Sequence, residues 1–396
     1  MTAALALPIQ SEKILPMHHL RHAQTPELGQ DVSGPVNLLG FAGILTHMKR
    51  PLIAILSLGL FASLLAAQQP QRAPVREIVN VKGDIYRARN NNYFSLFMVT
   101  PEGIILADPI NTAFATWMKE QFAERFKVPV RYVIYSHSHW DHIEGGAVFA
   151  DTARFAAHEN VARNMDGRIP QMPGDMLDRN HNGRFELEEI VGPLNDNAGR
   201  CGMPASFFRT ADRNGDGSLT PAELQADIRH PDILYSERMH ITLGGKTVEL
   251  IYPGENHSND ATVLYFPAER VVFATEFISD VALPATGSPL SFPSACGPFD
   301  GSPLSEWIRS YRTVEALDFD IFAGGHGALG TKADVTANRQ FFEELVAAVS
   351  AGMSQGKSLA ELQQSLLFEK YKDWSGYAAR RAATIDSAYR NLQLYK

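Results

Sequence analysis

Apolar and polar positions along this chain fall into short runs that predict strands, one helical tail and one export-type segment. Val130 to Ser136 (VRYVIYS) has the β-branched and aromatic content of a buried strand, and Gly145-Gly146 opens the chain again after it. Two further strands joined by Gly244-Gly245 lead through TVELIYP to ENHSND. VLYFPAERVVFATEFI reads as a hairpin, and DIFAGG as a strand ending at a glycine pair. The period then changes: FFEELVAAV has helical spacing, and Ser358 with Glu361 three residues later forms a capping box. Near the start, Met48-Lys49-Arg50 precedes PLIAILSLGLFASLLAA, a basic then apolar run ending in small residues, which is the layout of a secretory signal peptide over 48–67. The run is at the short limit for spanning a bilayer, so cleavage after Ala67 is expected over a retained anchor. Residues 1–47 ahead of it are a leader of doubtful status and are left out of the fold.

Composition changes the picture in two ways. The 396 residues, 45% of them hydrophobic, exceed the length of a typical domain and can bury a sizeable core. Residues 1–67 hold four of the 36 Lys/Arg and three of the 44 Asp/Glu, so the exported chain carries a net charge of about −9, which argues against a nucleic-acid partner. Export to a periplasmic or secreted location leaves no stable membrane anchor and permits a disulfide between Cys201 and Cys296; two free thiols fit the sequence as well. Oligomeric state has no signature here.

The candidate chemistry sits directly after the VRYVIYS strand. SHSHWDHIEGG brings His137, His139, Asp141 and His142 into six positions of a strand-end loop. Imidazoles and a carboxylate suit a borderline cation such as Zn²⁺, and alternating positions on an extended stretch can turn two imidazoles to one side while Asp141 and His142 face another. One loop can thus serve two ions. A histidine-rich surface loop is the plainer alternative, but chance seldom gives H-x-H-x-D-H.

HSHWDH resembles the signature of the metallo-β-lactamase superfamily, and further motifs extend the likeness over roughly residues 76–160 and 235–396. FSLFMVTPEGIILADPIN resembles the family's first hairpin, with Asp108 at its acidic position. His257 in ENHSND and His326 in DIFAGGHG match the later histidines, and Glu276 stands where the family usually has a bridging Asp. The resemblance implies an α+β fold, a four-layer αβ/βα sandwich with the site at one edge. It implies one metal on His137, His139 and His257, and a second on Asp141, His142 and His326. The two, expected to be zinc, would activate a shared water that attacks a carbonyl or phosphoryl centre, with Asp141 counted as catalytic. Glu276 can bridge, bind one metal, accept an outer hydrogen bond, or be an ordinary strand-end carboxylate. His158 is expected to be structural, and His181, His230 and His240 have no ligand spacing.

The stretch between His142 and His257 is longer than that family needs, and it holds two twelve-residue loops that match the EF-hand calcium pattern, in an insertion expected over 165–230. DRNHNGRFELEE offers Asp178, Asn180, Asn182, Arg184 at the seventh position through its backbone carbonyl, and Glu189, with Gly183 at the turn. DRNGDGSLTPAE offers Asp212, Asn214, Asp216, Ser218 and Glu223, with Gly217. The second loop has more carboxylates and should bind Ca²⁺ more tightly; Pro173 and Gly174 make a helix before the first doubtful. Phe185 and Leu219 occupy equivalent positions where paired loops share a short β-contact. Asx-rich surface turns are the alternative.

The expected function is an exported dizinc hydrolase acting on a small-molecule ester, lactone, thioester or amide. β-Lactam hydrolysis is a narrower version that the carboxylate at 276 disfavours. Iron-dependent oxidoreduction and a non-catalytic calcium-binding protein on the same scaffold are the other classes. The Pro/Gly/Ser-rich stretch between Val281 and Trp307 is expected beside the metals but does not name a substrate.

Overall fold

Strand periodicity explains how the chain layers itself. In this computed structural model the described residues are 73–165, 180, 182–191, 208, 211–224, 226–278, 290–293, 299 and 302–395. The leader, the signal segment, Pro173, Gly174, Asp178, His181, both cysteines and most of the loop after Val281 lie outside them. The first strands are β1 (Arg76–Lys82), β2 (Ile85–Asn90), β3 (Tyr93–Thr100), β4 (Gly103–Ala107), β5 (Val130–Ile134) and β6 (Arg154–His158). Strands β7 (Phe185–Glu186) and β8 (Ser218–Leu219) pair only with each other, and β9 (Ile233–Tyr235) returns the chain to the first sheet. That seven-stranded sheet runs β1-β2-β3-β4-β5-β6-β9, antiparallel as far as β4 and parallel beyond it.

The second sheet has six strands in sequential order: β10 (Arg238–Leu243), β11 (Lys246–Ile251), β12 (Val263–Phe266), β13 (Val271–Phe273), β14 (Ile321–Ala323) and β15 (Gly330–Thr331). Only β13 and β14 run parallel within it. The helices in chain order are α1 (Thr112–Arg125), α2 (Trp140–Ile143), α3 (Glu159–Asn164), α4 (Leu187–Val191), α5 (Pro221–Leu224), α6 (Leu304–Glu315), α7 (Lys332–Ser354), α8 (Leu359–Ser365) and α9 (Tyr377–Leu394).

Alternate side chains on a strand point to opposite faces, and here both faces are apolar. Leu96, Met98, Ile105 and Ile134 of the first sheet meet Val248, Leu250, Leu264, Phe266 and Phe273 of the second. Phe97, Leu106 and Val133, one residue out of step, point outward onto Phe114, Met118 and Phe122 of α1. Val263, Val272 and Phe322 on the far side of the second sheet pack under Trp307, Tyr311, Phe342, Leu345 and Ile385 of α6, α7 and α9. The result is the four-layer αβ/βα sandwich. Each large apolar side chain so buried contributes about 1.5–3 kcal/mol relative to exposure. Within the helical tail, α8 starts at the cap its residues predict: Ser358 Oγ accepts from Glu361 N, and Glu361 reaches back to Ser358 N at 2.7 Å. A second capping box, Thr331 with Asp334, starts α7 and carries an Asp where the usual pattern has Glu or Gln.

Candidate metal centre

Two parallel strands deliver the motif loops side by side. Strand β4 ends at Ala107 and β5 at Ile134, and the next residues are tied together by Asp108, whose carboxylate accepts from Ser136 N (2.8 Å) and Ser136 Oγ (2.6 Å). The same carboxylate stands 2.9 Å from His142 Nδ1. That contact turns His142 Nε2 forward, toward Glu276 Oε1 at 3.1 Å. Asp141 and His142 lie in the short helix α2, which starts after His139 and ends before Gly145. Gly145 takes φ +82°, and a Cβ there would fall 2.5 Å from the carbonyl carbon of Asn111, so the turn has no room for a side chain.

His257 comes from the β11–β12 connection, and its Nε2 lies 2.9 Å from His139 Nδ1. His137 Nδ1 is 3.0 Å from Ser136 Oγ, while its Nε2 is buried without a hydrogen-bond partner. His326 follows β14 in a loop clamped to the first sheet: Arg87 Nη2 donates to Gly324 O (3.0 Å) and Gly327 O (2.9 Å), and Phe94 N donates to Gly325 O (2.8 Å). Its Nδ1 donates to Asn92 O at 3.2 Å, which leaves Nε2 facing Glu276 Oε1 at 2.5 Å.

Two three-ligand groups result. One ligand atom from each of His137, His139 and His257 lies within 4.8 Å of the others, and the same holds for Asp141, His142 and His326. Glu276, held at φ +65° after β13, touches His142 and His326 and so stands with the second group. Asp108 (φ +52°) and Ile110 (φ +73°) are also in the left-handed region, so three non-glycine residues at this edge carry backbone strain of the kind that gathers at functional sites.

The electrostatics fit divalent cations. Burial pushes His137 and His139 well below the ordinary histidine value, and neighbouring imidazoles push the same way, so their nitrogens keep free lone pairs. Burial alone would raise Glu276, but the imidazoles of His326 and His142 overcome it and hold the carboxyl well below the usual range. Burial also opposes charging of His142, yet Asp141, Asp108 and Glu276 together raise it well above the ordinary value. The Asp141 and Glu276 carboxylates thus crowd the inward side of His142 and His326. Converging lone pairs in the first group and excess negative charge in the second are both relieved by a cation, and His₃ with His₂-carboxylate donors suits zinc or iron.

Some of this machinery carries no flag in the sequence. Buried Asp260 accepts from Ser138 N (3.2 Å), Asn164 Nδ2 (2.8 Å) and Ser258 Oγ, and so ties the first histidine loop to the loop bearing His257. It lies inside ENHSND, but nothing in the spacing separates it from Asn259. Thr275 Oγ1 donates to Ser136 Oγ at 3.0 Å and braces the floor of the site. His158 is structural: Nε2 donates to Ser236 O (2.8 Å), Nδ1 accepts from Asn160 N (3.3 Å), and the ring stacks on Tyr252 at 4.1 Å. His230 and His240 are exposed and belong to neither group.

Between His142 and His257, Phe185 pairs with Leu219 across β7 and β8. Glu189 Oε1 accepts from Asn180 N (3.3 Å), and Asn182 Nδ2 donates to Glu186 Oε1 (2.6 Å). Asp212 accepts from Gly215 N (2.8 Å), Asp216 N (3.2 Å) and Gly217 N (3.0 Å), and Asn214 Oδ1 accepts from Asp216 N (2.8 Å). Arg184 crosses between the loops to Asp216 Oδ2 (3.1 Å) and Ser218 Oγ (2.7 Å). Glu223 Oε2 accepts from Thr220 N at 2.9 Å, while Oε1 is buried without a partner. Asp212, Asp216 and Glu223 do not draw together as the two histidine groups do. Asp216 turns to Arg184 and Glu223 to Thr220 instead.

Comparison with known proteins places these features in context. The model of the metallo-β-lactamase superfamily matches residues 113–326, more than half of the chain. The 2,4-dinitroanisole O-demethylase subunit alpha of Nocardioides sp. (strain JS1661) is 23% identical over 249 residues, 62% of this chain and 56% of that protein. The chain therefore spans little over half the length of this curated relative. Among solved structures, the stereoselective inverting sec-alkylsulfatase Pisa1 from Pseudomonas sp. superposes with a TM-score of 0.53 at 14% identity, over 80% of this chain and 50% of that one. A metallo-beta-lactamase from Pontibacter korlensis covers 68% of this chain and 99% of its own at 14% identity, with a TM-score of 0.45. Identities this low speak to the fold alone.

Proposed function

The chain belongs to the metallo-β-lactamase superfamily, and on that premise we propose that it is an exported dinuclear metallo-hydrolase acting on a small ester, lactone, thioester or amide. The observation that carries this reading is the meeting of two three-ligand groups at one sheet edge. Two zinc ions, when bound, would supply Lewis-acid polarisation of the substrate and acidify a water between them. His137, His139 and His257 are assigned to one ion and Asp141, His142 and His326 to the other. Asp108 keeps His142 Nε2 turned into the site, and Asp141 is assigned to orient the attacking water. Glu276 is assigned to the second ion, because its carboxylate contacts His142 and His326 of that group.

The insertion is assigned to calcium as an EF-hand pair. The β7–β8 contact, the three backbone donors on Asp212 and the unpartnered Glu223 Oε1 support that reading, and the second loop is the stronger binder. Export rests on the signal-type segment at 48–67.

The test is turnover by purified, zinc-loaded protein with calcium present, with His139→Ala as the blank. The substrates are an aryl ester, a lactone, a thioester, an aryl amide and a chromogenic cephalosporin. The relatives' names add 2,4-dinitroanisole and a sec-alkyl sulfate. Turnover of an ester, lactone, thioester or amide that vanishes in the variant supports the proposal, and preference for the cephalosporin narrows it to a β-lactamase. Activity on only the ether or the sulfate would replace the substrate class. No turnover in protein holding two zinc ions would sink the hydrolase reading and favour iron chemistry.

A further inference from the structure

We propose that Tyr93 is a substrate-contacting residue, whose phenol donates a hydrogen bond to a negatively charged substrate oxygen held on the Asp141–His142–His326 side of the site. The inference rests on the hydrolase reading above and deepens it, because it names a group that meets the substrate rather than a metal.

Tyr93 is the first residue of β3, and its backbone bridges to His326 in the loop after β14. The side chain follows the backbone: its ring meets the His326 imidazole edge-on, with centroids 4.6 Å apart and planes at 66°. The ring therefore lies against a ligand of the second group and is only partly buried. Its hydroxyl forms no hydrogen bond among the described residues and is not sealed from solvent. A phenol is an O–H donor at neutral pH.

Among the described residues, Asp141 and Glu276 are the carboxylates that stand beside His326, and both are assigned above to the second ion. A carboxylate bound to a cation has less charge to offer a hydrogen bond, which leaves the phenol to an oxygen of the substrate. The acceptor that gains most is one carrying or developing negative charge, because hydrogen bonds to charged groups are about twice as strong as neutral ones. The phenol keeps its proton, so no bond to hydrogen is broken.

Tyr93→Phe keeps the ring on His326 and removes only the oxygen. Affinity of the zinc-loaded full chain for phenylphosphonate, a stable oxyanion probe, is measured by calorimetry alongside bound zinc and turnover of the best substrate. The variant should hold the same zinc, bind the probe about ten- to a hundredfold more weakly, and lose a similar factor in kcat/KM. Equal probe affinity and equal kcat/KM in variant and wild type would overturn the role of Tyr93 and leave the hydrolase reading standing. Lost zinc in the variant would also overturn it, by showing that the phenol acts through the metal site. A zinc-loaded wild type that neither binds the probe nor turns over any substrate would instead bring down the hydrolase reading, and this inference with it.

Discussion

At the scale of single residues, local chemistry decides which of the eight described histidines gather at the candidate site. His142 and His326 keep Nε2 directed inward because Nδ1 is occupied, by the Asp108 carboxylate in one and by Asn92 O in the other, and His137 holds Nδ1 at Ser136 Oγ with Nε2 unpartnered. His158 has both nitrogens engaged in the fold. Burial lowers its pKa, so below the ordinary value of 6.5 the unfolded chain takes up a proton that the folded chain resists. The unfolded state then binds more protons, and stability falls as pH drops from 6.5 toward the lowered folded value. Protonation at Nδ1 would also remove the acceptor for Asn160 N. His158→Asn retains an acceptor that does not titrate, so urea midpoints measured from pH 8 to pH 5 should fall less steeply than in wild type. Parallel slopes would show that His158 takes no part in acid sensitivity.

At the scale of elements, the sequence made the strands and their loops legible and hid how closely they meet. The Gly244-Gly245 hairpin, the VLYFPAERVVFATEFI hairpin and the Ser358 capping box form as their residues predict, because each depends on neighbours a few positions apart. Gly145 reads as a simple break after the histidine motif, yet its turn is pressed against the Asn111–Thr112 backbone at the start of α1. Gly145→Ala combines a left-handed φ with contacts of 2.5 to 2.7 Å to main-chain atoms that cannot move aside. It should displace Asp141 and His142, lower zinc content toward one ion per chain and cost several kcal/mol of stability, of the order seen for overpacking plus strain. Gly245→Ala is the control: φ is +76° but nothing lies within 4 Å of the added carbon, so only the conformational cost of about 1 kcal/mol remains and zinc content is unchanged. Metal analysis and denaturation of both variants check this, and equal losses would remove the claim that the contact with α1 matters.

At the scale of the whole molecule, the acidic loops between His142 and His257 are joined to the histidine loop rather than hung beside it. Gly145 N and Ala147 N both donate to Asp227 O, and Arg213 of the second acidic loop pairs with Asp227 at 2.6 Å. Tyr135, just after β5, donates to Arg229 O at 2.6 Å. A ligand that orders the acidic loops therefore stabilises the layer that carries His137 and His142. With calcium at a hundredfold excess over its Kd, binding to the folded state alone contributes about 2.7 kcal/mol. Calcium should raise the melting temperature by a few degrees, a calcium chelator such as EGTA should reverse the gain, and Asp216→Asn should weaken the response. A melting temperature indifferent to calcium would leave the loops as Asx-rich turns, held by the hydrogen bonds they already make.

The sequence by itself determined what depends on local order: strand and helix periods, the glycine breaks, the caps, and the chemistry of HSHWDH, for which few other uses exist. It also carried the five inward histidines, because imidazoles at motif positions are visible without coordinates. What only the tertiary structure decided are the encounters between residues distant in the chain. Asp260 beneath Ser138, Arg87 bracing the glycines around His326, and Tyr93 against His326 join segments far apart in the chain, and no spacing rule relates their positions. The side taken by Glu276 belongs to the same class. A carboxylate on a strand end can reach several partners, and it is the closing of two sheets around one core that left His142 and His326 within its reach.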